Sequence, residues 1–141
     1  MATNFRELLV WQKAMSLAEA AYATANLLPD LERFGLAAQL RRSAISVPSN
    51  IAEGHERRSR ADYRRFVAIA CGSLAELESQ LELCRRLYRI DGEGLKIAQS
   101  LADETGRLLR SIERALRDSQ VREAAEQYDS PQPSALSPQP S

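Results

Sequence analysis

The stretch Ser46–Arg60, SVPSNIAEGHERRSR, gathers most of the side chains in this chain that could do chemistry. It holds the single histidine, His55, two carboxylates, an asparagine, several serines and three arginines. Metal ligation, proton transfer and phosphate binding are the chemistries open to such a set. The first two fail on spacing. A di-iron carboxylate bundle needs Glu-x-x-His pairs on facing helices, yet Ala52 stands three residues before His55. His55-Glu56 begins a zinc-protease pattern, but Ser59 stands where the second histidine belongs. Neither Lys13 nor Lys96 follows a glycine, so no phosphate-cradling P-loop is present, and Gly92-Glu93-Gly94 links two helical segments rather than a strand and a helix. Cys71 and Cys84 form no Cys-x-x-Cys pair, so activated nucleophiles and structural zinc lack their usual parts. The expectation is a non-enzyme with no cofactor and no metal, with His55 an ordinary residue at a helix end.

Phosphate binding survives this screen. Arg41, Arg42, Arg57, Arg58, Arg60, Arg64 and Arg65 face only Glu53, Glu56 and Asp62 within the span 41–65, whereas Asp91–Asp129 carries six bases and nine acids. The chain as a whole has zero net charge, which argues against a general polyanion binder. Seventeen of the nineteen basic residues are arginine, which composition bias accounts for, though arginine also suits phosphate and carboxylate forks better than lysine. Two readings of the arginines stay open: a solvated surface partly neutralised by Glu56 and Asp62, or a phosphate-binding patch. Tyr63 lies nearby, but its place in an apolar stripe argues against base stacking.

These residues must be held by helices, because helical spacing runs through nearly the whole chain and strand-like alternation persists nowhere. A first helix is expected from about Asn4 to Leu28, capped by Thr3 or Asn4. Its stripe is Trp11, Ala14, Ala18, Ala21, Ala25 and Leu28, widened by Leu17 and Tyr22. Pro29-Asp30 ends it, and Phe34-Gly35 closes the loop. The second helix starts near Leu36 with the apolar face Leu36, Leu40, Ala44, Val47 and Ile51. About 100° round it runs a second stripe, Gln39, Ser43, Ser46, Asn50, Glu53 and Arg57, polar yet small in its middle. Solvated faces carry longer charged side chains. Pro48 removes a donor and frees the Ala44 carbonyl, so a kink is expected, and Gly54 suits the close of the helix or a second bend.

Ser59 reads as the cap of a third helix with Asp62 at its third position. That helix has the clearest seam: Tyr63, Val67, Ala70, Leu74, Leu77, Leu81, Cys84 and Tyr88. Asp91-Gly92-Glu93-Gly94 is expected to turn the chain into a fourth helix with the seam Leu95, Ala98, Ala102, Thr105, Leu109, Ile112 and Leu116. A second stripe, Leu101, Leu108 and Ala115, fits either self-association or a wide core face. The result is an all-α, antiparallel up-down four-helix bundle, packed near 20°, over residues 1–128. Residues 129–141, in which SPQPS occurs twice, form a Pro/Ser/Gln-rich tail expected to be disordered. The N-terminal sequence lacks a basic region followed by an apolar run, so no signal peptide is expected. Charge-free runs of only about ten residues fall short of a membrane span. The two cysteines lie thirteen residues apart on separate faces of one helix and read as reduced core thiols of a cytoplasmic protein.

Three segments, FRELLVWQKA (Phe5–Ala14), FGLAAQLRRSAISVPSNIAEG (Phe34–Gly54) and FVAIACGSLAELESQLEL (Phe66–Leu83), resemble the bacterial four-helix bundle protein family. That family includes the S23-type proteins encoded in intervening sequences of 23S ribosomal RNA genes, and the accessory variability determinant of diversity-generating retroelements. The resemblance covers Phe5 to Ile90 and continues into the fourth helix by pattern alone; the tail lies outside it. It implies an elongated bundle that assembles into a ring-like homopentamer with a basic surface or channel. Retroelement members associate with a reverse transcriptase and bind nucleic acid. The partners implied here are therefore other copies of the chain, RNA or DNA, and a reverse transcriptase or other protein, with no membrane.

Ser46, Pro48, Asn50, Glu53 and Gly54 match the family motif. Read as architecture, Pro48 sets a bend and Ser46 and Asn50 bond the backbone groups it exposes. Glu53 is placed to pair with Arg57 or an arginine of a neighbouring subunit, while direct ligand contact by Asn50 and Glu53 stays open. Gly72-Ser73 suits close helix approach, and Glu76 would need a polar partner if buried.

Overall fold

The structure, a computed structural model, describes residues 4–129. The alternative Thr3 cap and the tail from residue 130 onward lie outside these. Four helices follow in order: α1 Leu9–Ala25, α2 Leu36–His55, α3 Arg60–Tyr88 and α4 Glu93–Asp129. Each packs on its neighbours in sequence, and α4 closes the ring of four against α1. This is the antiparallel bundle that the seams require.

The first helix begins later than its periodicity suggests. Asn4 caps a short 3-10 turn, Phe5–Glu7, its side-chain oxygen accepting from the Arg6 N–H at 2.9 Å. Leu8 then turns the chain into α1, and a second 3-10 turn at Asp30–Glu32 leads into α2. Glu32 rather than Gly35 supplies the side-chain cap of α2, accepting from the Leu36 N–H at 3.0 Å. Its other oxygen accepts from the Tyr88 hydroxyl at 2.5 Å, tying this loop to the end of α3. Those two bonds, the Tyr88 one first, hold its carboxyl below the usual range.

The core is narrow because it is built on alanine. Ala14, Ala21, Ala25, Ala44, Ala70, Ala98 and Ala102 are buried and let the backbones approach, while Leu17, Leu40, Leu77, Leu81, Leu95 and Leu109 fill the space between them. Each such leucine contributes about 1.5–3 kcal/mol before chain entropy is charged. Trp11, Ala18 and Leu28 flank this core, and Val10 and Thr24 join it although the stripe expected for α1 omitted them. Tyr22 is exposed. Leu101 and Leu108 of α4 pack partly against the core, as a wide core face would, and Ala115 is exposed.

α2 runs unbroken through the buried Pro48 to His55. Gly54 stands in its closing turn, as expected, its carbonyl accepting from the Arg57 N–H at 3.1 Å. A Cβ there would stand 2.9 Å from the Cβ of Phe66 and 3.0 Å from Cδ1 of Tyr63, so its role is the close approach of α3. The turn into α4 differs from expectation: Arg89, at φ 54°, takes the left-handed conformation that closes α3, and Glu93 and Gly94 already belong to α4. Both cysteines are free, with Cys84 buried and its thiol pushed up to about 11 by that burial. No helix among the described residues is long and apolar enough to cross a membrane.

α4 is the longest element at 37 residues, about 55 Å. The Lys13–Glu104 ion pair at 3.3 Å sets its level against α1. From that level its last 25 residues continue about 30 Å beyond the start of α1. α3 accompanies it for part of the way.

Candidate nucleic-acid interface

The polar stripe of α2 is a hydrogen-bonded seam against α3. Ser43 Oγ lies 2.5 Å from Oε1 of Gln80, and Ser46 Oγ lies 2.6 Å from Ser73 Oγ. Asn50 Nδ2 donates to the Ser46 carbonyl at 2.8 Å and to Ser46 Oγ at 3.0 Å. The middle of the stripe is small because two helices meet there. Asn50 thus serves the Ser46 carbonyl, not the Ala44 carbonyl that Pro48 frees, and Ser46 spends its hydroxyl across the interface. Two further expectations fail. Gly72 is exposed with nothing near its missing Cβ, so Ser73 alone makes the close approach. Within one chain Glu53 makes no ion pair with Arg57, whose guanidinium lies over Phe66, and both Glu53 and Glu76 are exposed; pairing of Glu53 with an arginine of a neighbouring subunit stays an expectation.

Past the seam, α2 ends and the chain turns through Glu56–Ser59. Ser59 caps α3, its hydroxyl accepting from the Asp62 N–H at 3.1 Å, as the sequence indicated. The capped turn brings Arg57, Arg58, Ser59, Arg60 and Tyr63 to one open groove, with Glu123 of α4 as its far wall. Tyr63 faces inward, half-buried, its ring edge-on to His55 with centroids 6.0 Å apart. That matches its seam position.

The seven arginines divide into four situations, of which the simplest is Arg58, exposed on the groove with no carboxylate partner among the described residues. Arg57 and Arg65 place their guanidiniums over the Phe66 ring, each 4.6 Å from its centroid, so one buried ring positions two cations. Arg65 is also 3.8 Å from Asp62. Arg60 and Arg64 are taken up by α4: Arg60 pairs with Glu123, and Arg64 pairs with Glu113 at 3.0 Å and donates to Gln120 at 3.3 Å. Arg41 and Arg42 do not join this corner. They stand about 24 Å up α2 from Arg57, where Arg41 donates to Asn26 at 2.9 Å and lies over Tyr22.

The neutralising role of α4 is what sequence reasoning missed. The contrast between a basic middle and an acidic last third was visible, but not that one lies on the other. A signal was available: Glu113, Gln120 and Glu123 fall on one helical face, at steps of seven and three, beside the Ile112–Leu116 end of the seam. Among the described residues no cluster of histidine, cysteine and carboxylate could hold a metal ion.

A second surface is apolar. Trp11, Met15 and Ala18 of α1 and Ile45, Pro48 and Ala52 of α2 line a shallow groove on the outer side of that helix pair. Met15 and Ile45 are exposed along it.

The family model described as 23S rRNA-intervening sequence protein matches residues 6–111. A solved structure of a protein with unknown function from the S23 ribosomal protein family of Bacteroides thetaiotaomicron is similar, with a TM-score of 0.68 and 29% sequence identity. The similarity covers 74% of this chain and 98% of that one. No curated protein matches the chain.

Proposed function

This chain belongs to the 23S rRNA-intervening sequence protein family, and from that premise we propose a non-enzymatic, self-associating adaptor that holds nucleic acid by its phosphate backbone. The observation that carries the reading is the state of Arg57 and Arg58. Arg57 is positioned by an aromatic ring rather than neutralised by a carboxylate, and Arg58 has no acidic partner among the described residues. Both open on the groove at the start of α3. Contacts of this kind recognise phosphate with little sequence preference.

Two arginines bind weakly alone. Repetition of the corner around a homopentameric ring, the assembly implied by the resemblance to the bacterial bundle family, would multiply them by avidity. The lone histidine has its ring packed on Tyr63 rather than beside a nucleophile, which favours an adaptor over a catalyst. A fluorescence-anisotropy titration with single-stranded RNA and duplex DNA, at about 50 and 200 mM salt, tests the proposal. Binding that weakens steeply with salt supports it; no binding at the lower salt overturns it.

The apolar groove between α1 and α2 favours a second reading, a protein-interaction scaffold that docks a reverse transcriptase or other protein without touching nucleic acid. A defined protein that co-purifies through nuclease and moderate salt would support that reading.

A further inference from the structure

We propose that the far end of α4 is an internal competitor for the arginine corner, with Glu113 and Glu123 holding the places that nucleic-acid phosphates would take on Arg64 and Arg60. The inference rests on the phosphate-binding reading above and adds the regulation of that site. Four observations converge on it. The groove that gathers Arg57, Arg58 and Arg60 has Glu123 as its acidic wall among the described residues. The Glu123 carboxylate is paired with Arg60, and the Glu113 carboxylate takes Arg64 Nε at 3.0 Å, so anionic oxygens of α4 already sit on two of the five corner guanidiniums. Glu123 comes from the last part of α4, where every residue from Val121 to Asp129 is exposed and little apolar burial holds the helix in place, while Glu113 stands between the last core contacts, Ile112 and Leu116. Finally, the family match ends at residue 111, before either acid, and the similar solved chain is 98% covered by the similarity while a quarter of this chain lies outside it. Both acids of the neutralising segment lie outside the residues that the family model matches.

Chemically this is a mimic. A carboxylate and a phosphodiester present comparable anionic oxygens to a guanidinium, so they compete for one donor set. Because Arg60 and Glu123 are both about half exposed, their pair is weak enough for a polyanion to displace. The corner thus has two states, closed on its own acids or open to a phosphate backbone, and ligand binding must pay for the difference.

The test compares three full-length proteins against fluorescein-labelled single-stranded RNA at about 50 mM salt: the natural chain, Glu113→Gln/Glu123→Gln, and Glu19→Gln/Glu78→Gln. The last pair changes net charge equally at exposed acids remote from the corner. The inference expects the first variant to bind about three- to tenfold tighter than the natural chain, with a steeper salt dependence, and the control to bind no more than about twofold tighter. Equal tightening by both variants, or no tightening by the first, overturns the competitor while leaving the phosphate-binding reading intact. Binding by Glu113→Gln/Glu123→Gln alone would support both. Absence of binding by all three overturns the phosphate-binding reading and the competitor with it.

Discussion

Gly54 and Gly72 show how two like residues on neighbouring helices carry opposite demands. Gly54 has no room for a Cβ against Phe66 and Tyr63, whereas Gly72 opens on empty space. Gly54→Ala should therefore destabilise the bundle by about 1–3 kcal/mol through overpacking. Gly72→Ala should stabilise it by about 0.5–1 kcal/mol by restoring helix propensity. Thermal melts of the two variants check both signs, and a Gly72→Ala protein that melts lower would mean its open face is covered in the assembled state. The sequence pointed to both glycines, but not to how much room each one has. One helix's periodicity carries no record of how near its neighbour lies. For the same reason the small polar residues of α2 were visible, while their partners Ser73 and Gln80 across the seam were not.

Helices as units were far more legible, because a seam repeated every three and four residues survives local exceptions. What escaped were the ends. Arg89 closes α3 in a left-handed conformation without a glycine, and Glu32 caps α2 from four residues upstream. Glu32 makes the start of α2 sensitive to acid. Its folded carboxyl lies below the ordinary value through the Tyr88 and Leu36 bonds. A depressed carboxyl contributes stability that is complete above the unfolded value, near pH 4.3, and is lost as pH falls through the folded one. Denaturation midpoints followed from pH 7 downward should fall in that acid window for the natural chain. Glu32→Gln should be less stable at neutral pH and show a smaller drop on acidification; an unchanged acid response would remove Glu32 from the account.

For the whole molecule, net neutrality hides a separation of charge along the chain that folding largely cancels. The basic turn between α2 and α3 and the acidic reach of α4 lie against each other, leaving Arg57 and Arg58 as the corner cations without a carboxylate partner among the described residues. Arg57→Glu/Arg58→Glu should abolish retention of RNA at about 50 mM salt while leaving the native mass intact. Light scattering on both proteins should give about five times the 15.7 kDa chain. A variant that keeps its RNA would sink the phosphate-binding corner, and a monomer mass would remove the avidity argument. Composition alone recorded the neutrality, and only three-dimensional placement shows which charges remain.

The long final helix spans two very different environments. Up to Leu109 it is packed between α1 and α3; beyond Leu116 most of its residues are exposed. A single rod of hydrogen bonds should then open on two clocks. Amide hydrogens from Ala98 to Leu109 should exchange only with global unfolding, whereas those from Arg117 to Asp129 should exchange through fraying, orders of magnitude faster. Added salt, by screening the pairs to Arg60 and Arg64, should quicken the second group and leave the first alone. The segment whose fraying sets that faster clock also carries Glu123, so the opening rate of one helix end would limit how quickly the corner can exchange its own carboxylate for an incoming strand.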